Sequence, residues 1–140
     1  MIKKEPHQII ELTEKAFEFI KNDGSVPEEI QRRIKDKWDE ICSRIGKTSL
    51  PWAPTVGIGD DGSVLFSWND RENNHYLECE FDLDATSYFY RGEDDETWYA
   101  DTMDDSQVEL DKFYGRLKHF VIEFETGTIA PYVSDELNEI

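Results

Sequence analysis

The sequence has 140 residues, 38% of them hydrophobic and 13% aromatic, and carries a formal net charge of −17. That aromatic content excludes a wholly disordered acidic chain, and the length suffices to bury the core of one domain. The charge repels phosphate, which disfavours direct nucleic-acid binding, and no apolar run reaches the ~18 residues of a membrane-spanning helix.

In chain order, Ile9, Ile10, Leu12, Ala16, Phe17 and Ile20 recur at helical spacing and predict a first helix, stopped at Asn22-Asp23-Gly24 with Gly24 in the left-handed position. A second helix is expected from about Pro27 to Ile45, with Ser25 or a neighbour as its cap. Its apolar stripe is Ile30, Ile34, Trp38, Ile41, Cys42 and Ile45, and Arg32, Arg33, Lys35 and Lys37 form its wet side. Pro51 and Pro54 end helical structure. Thr55–Ile58 and Ser63–Trp68 read as strands joined through Gly59-Asp60-Asp61-Gly62, an Asp-Gly hairpin signal. From His75 to Asp84 the chain alternates: Leu77, Cys79, Phe81 and Leu83 fall on one side, and Tyr76, Glu78, Glu80, Asp82 and Asp84 on the other. Ser87–Tyr90 should pair with it, with Thr97–Ala100 as a possible further strand. Asp104, Asp105 or Ser106 can cap a third helix reaching about Val121 through Val108, Leu110, Phe113, Leu117 and Phe120.

The resulting fold class is α+β: an N-terminal helical hairpin, an antiparallel meander of about four strands, and one C-terminal helix packed on the sheet. Residues 1–125 form a single domain in this reading, and 126–140 an acidic tail. The opening MIKKEPHQIIELTEKAF has lysines but no apolar core of a secretory signal. With Cys42 and Cys79 as the only cysteines, the expectation is two reduced thiols in a cytoplasm.

The excess charge is not spread evenly. Residues 1–59 hold ten acidic and ten basic side chains, whereas residues 60–111 hold 17 acidic and two basic, Arg71 and Arg91. A general need for solubility does not predict such asymmetry; a field over one face does. The densest stretch is RGEDDETWYAD, residues 91–101, with five carboxylates around Trp98 and Tyr99.

No catalytic signature accompanies these charges. Asp60-Asp61-Gly62 and residues 93–96 lack the spacing of a calcium loop, and Cys42, Cys79, His7, His75 and His119 lie in no zinc-like cluster. His75 and His119 read as structural, as do the two cysteines on apolar faces. No phosphate-cradling glycine loop is present, and among 32 acidic residues a glycosidase-like pair carries no specificity. Neither cofactor nor metal is expected.

What remains is the acidic strand face. Glu78, Glu80, Asp82 and Asp84 recur every ~7 Å along one side of a strand, and Tyr76, Tyr88 and Tyr90 are expected beside them. A row of like charges costs stability, and its bland explanation is a solvated face that resists strand-to-strand aggregation. The functional explanation is docking on a basic partner, with carboxylates standing in for phosphates and aromatics supplying contact area. The expected site comprises Tyr76, Glu78, Glu80, Asp82, Asp84, Tyr88, Tyr90, Glu93, Asp94, Asp95, Glu96, Trp98, Tyr99 and Asp101.

In character the chain resembles two groups of inhibitors. One is the phage anti-defence proteins, anti-CRISPR and nucleic-acid-mimicking inhibitors among them; the other is the bacterial immunity proteins that neutralise basic nucleases. The resemblance covers no alignable motif and transfers no residue. It implies a non-enzymatic binding protein whose partner is a nuclease or defence effector with a basic nucleic-acid groove. The alternatives are a small carboxylate- or metal-dependent enzyme, and an adaptor or self-associating protein that uses its helical face.

Overall fold

The structure, a computed structural model, describes residues 5–93, 96–102 and 107–124. Helix α1 spans Pro6–Asn22 and α2 spans Glu28–Ile45. Pro6 starts α1 where no intrahelical N–H is needed, and the Gln8 side chain accepts from the Glu5 backbone N–H at 2.9 Å. The buried stripe of α1 is Ile9, Ile10, Thr13, Phe17 and Ile20. Leu12 lies outside it, and Thr13 takes an inward place because its hydroxyl donates to the Ile9 carbonyl at 2.8 Å.

The turn into α2 corrects two expectations. Asp23 closes α1 in an extended conformation, so Gly24 is not left-handed. Ser25 does not cap α2: its N–H and hydroxyl both donate to the Asp23 carboxylate, at 2.8 and 2.6 Å, and Pro27 takes the cap position. Lys37 is a third correction. It is buried against the sheet, its Nζ 5.5 Å from the centre of the Tyr88 ring and 3.2 Å from Glu40, so its stem packs as apolar surface.

The sheet follows as β2 (Thr55–Ile58), β3 (Val64–Asp70), β4 (His75–Phe81), β5 (Thr86–Arg91) and β6 (Thr97–Thr102), antiparallel throughout in the order β2-β3-β4-β5-β6. The possible further strand at Thr97–Ala100 does pair, which gives the sheet five strands. A short strand β1 (Ser49–Pro51) pairs with β7 (Val121–Glu123) as a separate ribbon that the sequence reading did not contain. Between β6 and β7, helix α3 runs Gln107–Leu117 and tightens into a 3₁₀ turn at Lys118–Phe120. Val121 is therefore in a strand, not at the end of a helix; it lies opposite Pro51, with Ile122 opposite Leu50. The expected caps Asp104, Asp105 and Ser106, and the tail 126–140, lie outside the described residues.

The helices cover one face of the sheet. Phe66 sits at the centre of the core, its ring edge-to-face with Phe17, Trp38, Trp68 and Phe81 at 5.3–6.3 Å. Helix α3 adds Phe113, 4.7 Å from the Tyr88 ring, and Arg44 of α2 lies over Tyr114 at 4.3 Å while reaching Asp111 at 3.3 Å. The β2–β3 hairpin is locked to the α1–α2 turn at Gly62. Its φ is +83°, and a Cβ there would meet the Ser25 carbonyl oxygen and the Pro27 ring.

Candidate docking face

Strand register decides which side chains share a face. Leu77, Cys79 and Phe81 of β4 point to the helices, and their partners across β5 are Tyr90, Tyr88 and Thr86. The opposite side of β4 carries Tyr76, Glu78 and Glu80, facing Arg91, Phe89 and Ser87. Across β3 the same positions meet Asn69, Ser67 and Leu65. The rows run straight across the sheet: Ser67–Glu78–Phe89–Tyr99 is one, and Asn69–Tyr76–Arg91–Thr97 is the next. All these outward positions are half-buried or exposed, and Tyr99 is 64% exposed.

Part of the expected site assembles here and part does not. Tyr76, Glu78, Glu80 and Tyr99 share the outer face. Tyr88 and Tyr90 do not: they are 1% and 4% exposed on the core side, because β5 pairs in the phase that turns Phe89 outward. Phe89 is the aromatic the sequence reading missed. Asp82 and Asp84 also leave the row. Strand β4 ends at Phe81, and the Asp82 carboxylate closes the next turn by accepting from Asp84 N at 2.9 Å and Ala85 N at 2.7 Å. Leu83, expected on the core side, is consequently exposed, its carbonyl accepting from Arg33. Asp101 pairs with Ser87 in β6, and Asp94 and Asp95 lie outside the described residues.

Two internal contacts shape the outer face. The Tyr76 hydroxyl donates to Glu78 at 2.5 Å, and burial followed by that carboxylate pushes the phenol up to about 12. The Arg91 guanidinium lies 5.8 Å from the centre of the Tyr76 ring. One carboxylate therefore already works beside aromatic surface and a guanidinium, all on neighbouring strands.

Glu93, Glu96 and Trp98 belong to a second constellation at the edge of the core. Trp98 stacks on Tyr88 at 5.9 Å, and Arg116 of α3 lies 5.2 Å from both the Trp98 and Tyr90 rings while bridging to Glu96 at 3.2 Å. Beside them His75 of β4 stacks on His119 at a centroid distance of 3.7 Å, and its Nδ1 is 2.8 Å from the Tyr90 hydroxyl. Gly92 makes this possible, since a Cβ there would strike the Tyr90 ring. The sequence presents the two histidines as separate structural residues; the fold joins them, and no local pattern links residues so distant in the chain.

Turn carboxylates elsewhere are committed to the backbone. Asp61 accepts from the Ser63 hydroxyl at 2.7 Å and its N–H at 3.0 Å, which hold its pKa below 3.8. Burial, and then Asp39, push the Cys42 thiol up to about 12, so it stays protonated and weakly nucleophilic at neutral pH. Among the described residues no group of three His, Cys, Asp or Glu is arranged to hold a metal ion, and no helix is long and apolar enough to cross a membrane. Compared with known proteins, the chain matches no family model, no curated protein and no solved structure.

Proposed function

We propose that the protein is a non-enzymatic acidic inhibitor that docks the outer face of its sheet on the basic, nucleic-acid-binding surface of a partner protein and occludes it. The observation that carries this reading is the composition of the face itself. Strands that bury aromatics on one side present Glu78 and Glu80 beside Tyr76, Phe89 and Tyr99 on the other. Solvation alone accounts for the carboxylates but not for aromatic area placed among them, and aromatic side chains are enriched at interfaces. The surplus of carboxylates in residues 60–111 favours approach of a basic partner in general, and Glu78 and Glu80 are the ones that stand on this face. A cytoplasmic target, a nuclease or defence effector with a positively charged groove, fits the mechanism.

The test is affinity capture on the immobilised protein beside its Glu78→Lys/Glu80→Lys variant, with a salt gradient and then added duplex DNA. A basic nucleic-acid-binding protein held by wild type, lost from the variant, released by moderate salt and displaced by DNA is the expected result. Equal capture by both forms, or retention near 1 M salt, where the screening length is about 3 Å, overturns occlusion by this face.

A specific observation favours a second reading, self-association through α1. Leu12 and Phe19, two turns apart on one side of the helix, are 39% and 53% exposed. Concentration-dependent mass that disappears in Leu12→Glu/Phe19→Glu would establish it.

A further inference from the structure

We infer that the outer sheet face selects arginine rather than lysine from its basic partner, with Phe89 and Tyr99 as the specificity-determining residues and Glu78 as the anchoring carboxylate. This rests on the docking reading above and goes beyond it, from the sign of the partner's charge to the chemical group that carries it.

The register supplies the argument. Glu78, Phe89 and Tyr99 are consecutive in one row across β4, β5 and β6, so neighbouring side chains stand about 5 Å apart. A cation that enters this row has the Glu78 carboxylate on one side and the aromatic side chains of Phe89 and Tyr99 next to it along the row. A guanidinium is planar: it lies on a ring with its face while its edge N–H groups reach the carboxylate, so both attractions operate together. An ammonium is compact and strongly hydrated. It must shed more water to sit on a ring, and it has no flat face to present.

The protein already sets a guanidinium against a ring on this face. Arg91 lies over the Tyr76 ring on this same face, one row away, and the Tyr76 hydroxyl is tied to the Glu78 carboxylate. The exposed Tyr99 ring in the adjoining row offers the same surface to a guanidinium from outside. Glu80 contributes charge but not selectivity, since its row neighbours are Leu65 and Ser87.

The experiment compares binding of an arginine homopeptide and a lysine homopeptide of equal length, with blocked ends, to the full chain by titration calorimetry at low salt. Wild type, Phe89→Leu, Tyr99→Thr and Phe89→Leu/Tyr99→Thr are measured in parallel, each checked for folding by circular dichroism. The expected result is that wild type binds the arginine peptide about three-fold or more tightly, a gap of the size an exposed cation–π contact provides, and that the gap closes in the double variant. Equal affinity of both peptides for wild type, or a gap that survives the double variant, overturns the arginine inference and leaves charge-driven docking standing. Binding of neither peptide by folded wild type overturns the docking reading and this inference with it.

Discussion

Phe66 and Phe89 belong to the same five-stranded sheet, two strands apart, and face opposite ways. Phe66 is enclosed by four aromatic rings beneath the helices; Phe89 lies on the outer side between Glu78 and Tyr99. The contrast separates two uses of aromatic surface. On the inner face an aromatic removes water from itself and its neighbours on folding, so its energy is spent on the fold. On the outer face it keeps contact with water, and its energy is available to a partner.

Truncating each phenylalanine breaks the comparison most directly. Phe66→Ala should cost roughly 3–5 kcal/mol of stability, because it leaves a cavity among rings that cannot collapse onto it. Phe89→Ala should cost less than about 1.5 kcal/mol, since neighbouring side chains and water fill the space. Equilibrium urea unfolding of both variants measures the difference, and equal losses would mean that the outer face is closed in the native protein.

The acidic side chains extend the contrast to kinetics. Glu78→Lys/Glu80→Lys should slow association with a basic partner by about ten-fold or more while changing unfolding little, because charge on an open face acts on encounter. Measuring association by stopped flow at several salt concentrations checks this: the gap between wild type and variant should shrink as salt rises. A salt-independent gap would mean that the substitutions disturb shape and not field.

The two faces were unequally legible in the sequence. Within β4 the alternation of Leu77, Cys79 and Phe81 with Tyr76, Glu78 and Glu80 fixed both faces, since side chains on a strand repeat every two residues. The phase of β5 was not fixed, because Tyr88, Phe89 and Tyr90 are three successive aromatics and either parity buries something large. Termination of β4 at Phe81 decided it: Asp82 closes a tight turn, and that turn carries Phe89 outward. The burial of Lys37 is hidden for a similar reason, since charge marks a wet position only where no aromatic surface lies below the stem. The β1–β7 ribbon joins segments far apart in the chain, as does the histidine pair, and local periodicity carries no record of such pairings.

That histidine pair, at the margin between the two faces, yields the smallest expected effect. Burial first, and then the neighbouring His75, hold the pKa of His119 below its ordinary value of 6.5, with Arg116 acting in the same direction and Asp70 and Glu93 opposing. Tyr90 is the remaining group in contact, hydrogen-bonded to His75 and stacked at 6.2 Å from His119. A base with a depressed pKa binds fewer protons folded than unfolded, so stability rises with pH through that window. The stability it contributes is complete above 6.5 and is lost as pH falls through the lower, folded value. The denaturant midpoint should therefore begin to decline as pH falls below 6.5, whereas the losses from the carboxylates Asp23 and Asp61 begin only near 3.8. His119→Gln keeps a polar group against His75 without a titrating nitrogen, and it should flatten the decline. The effect is modest, since His119 is an exposed residue and only partly desolvated by the rings around it. A midpoint that falls as steeply in the variant would assign the acid sensitivity to a group other than this pair.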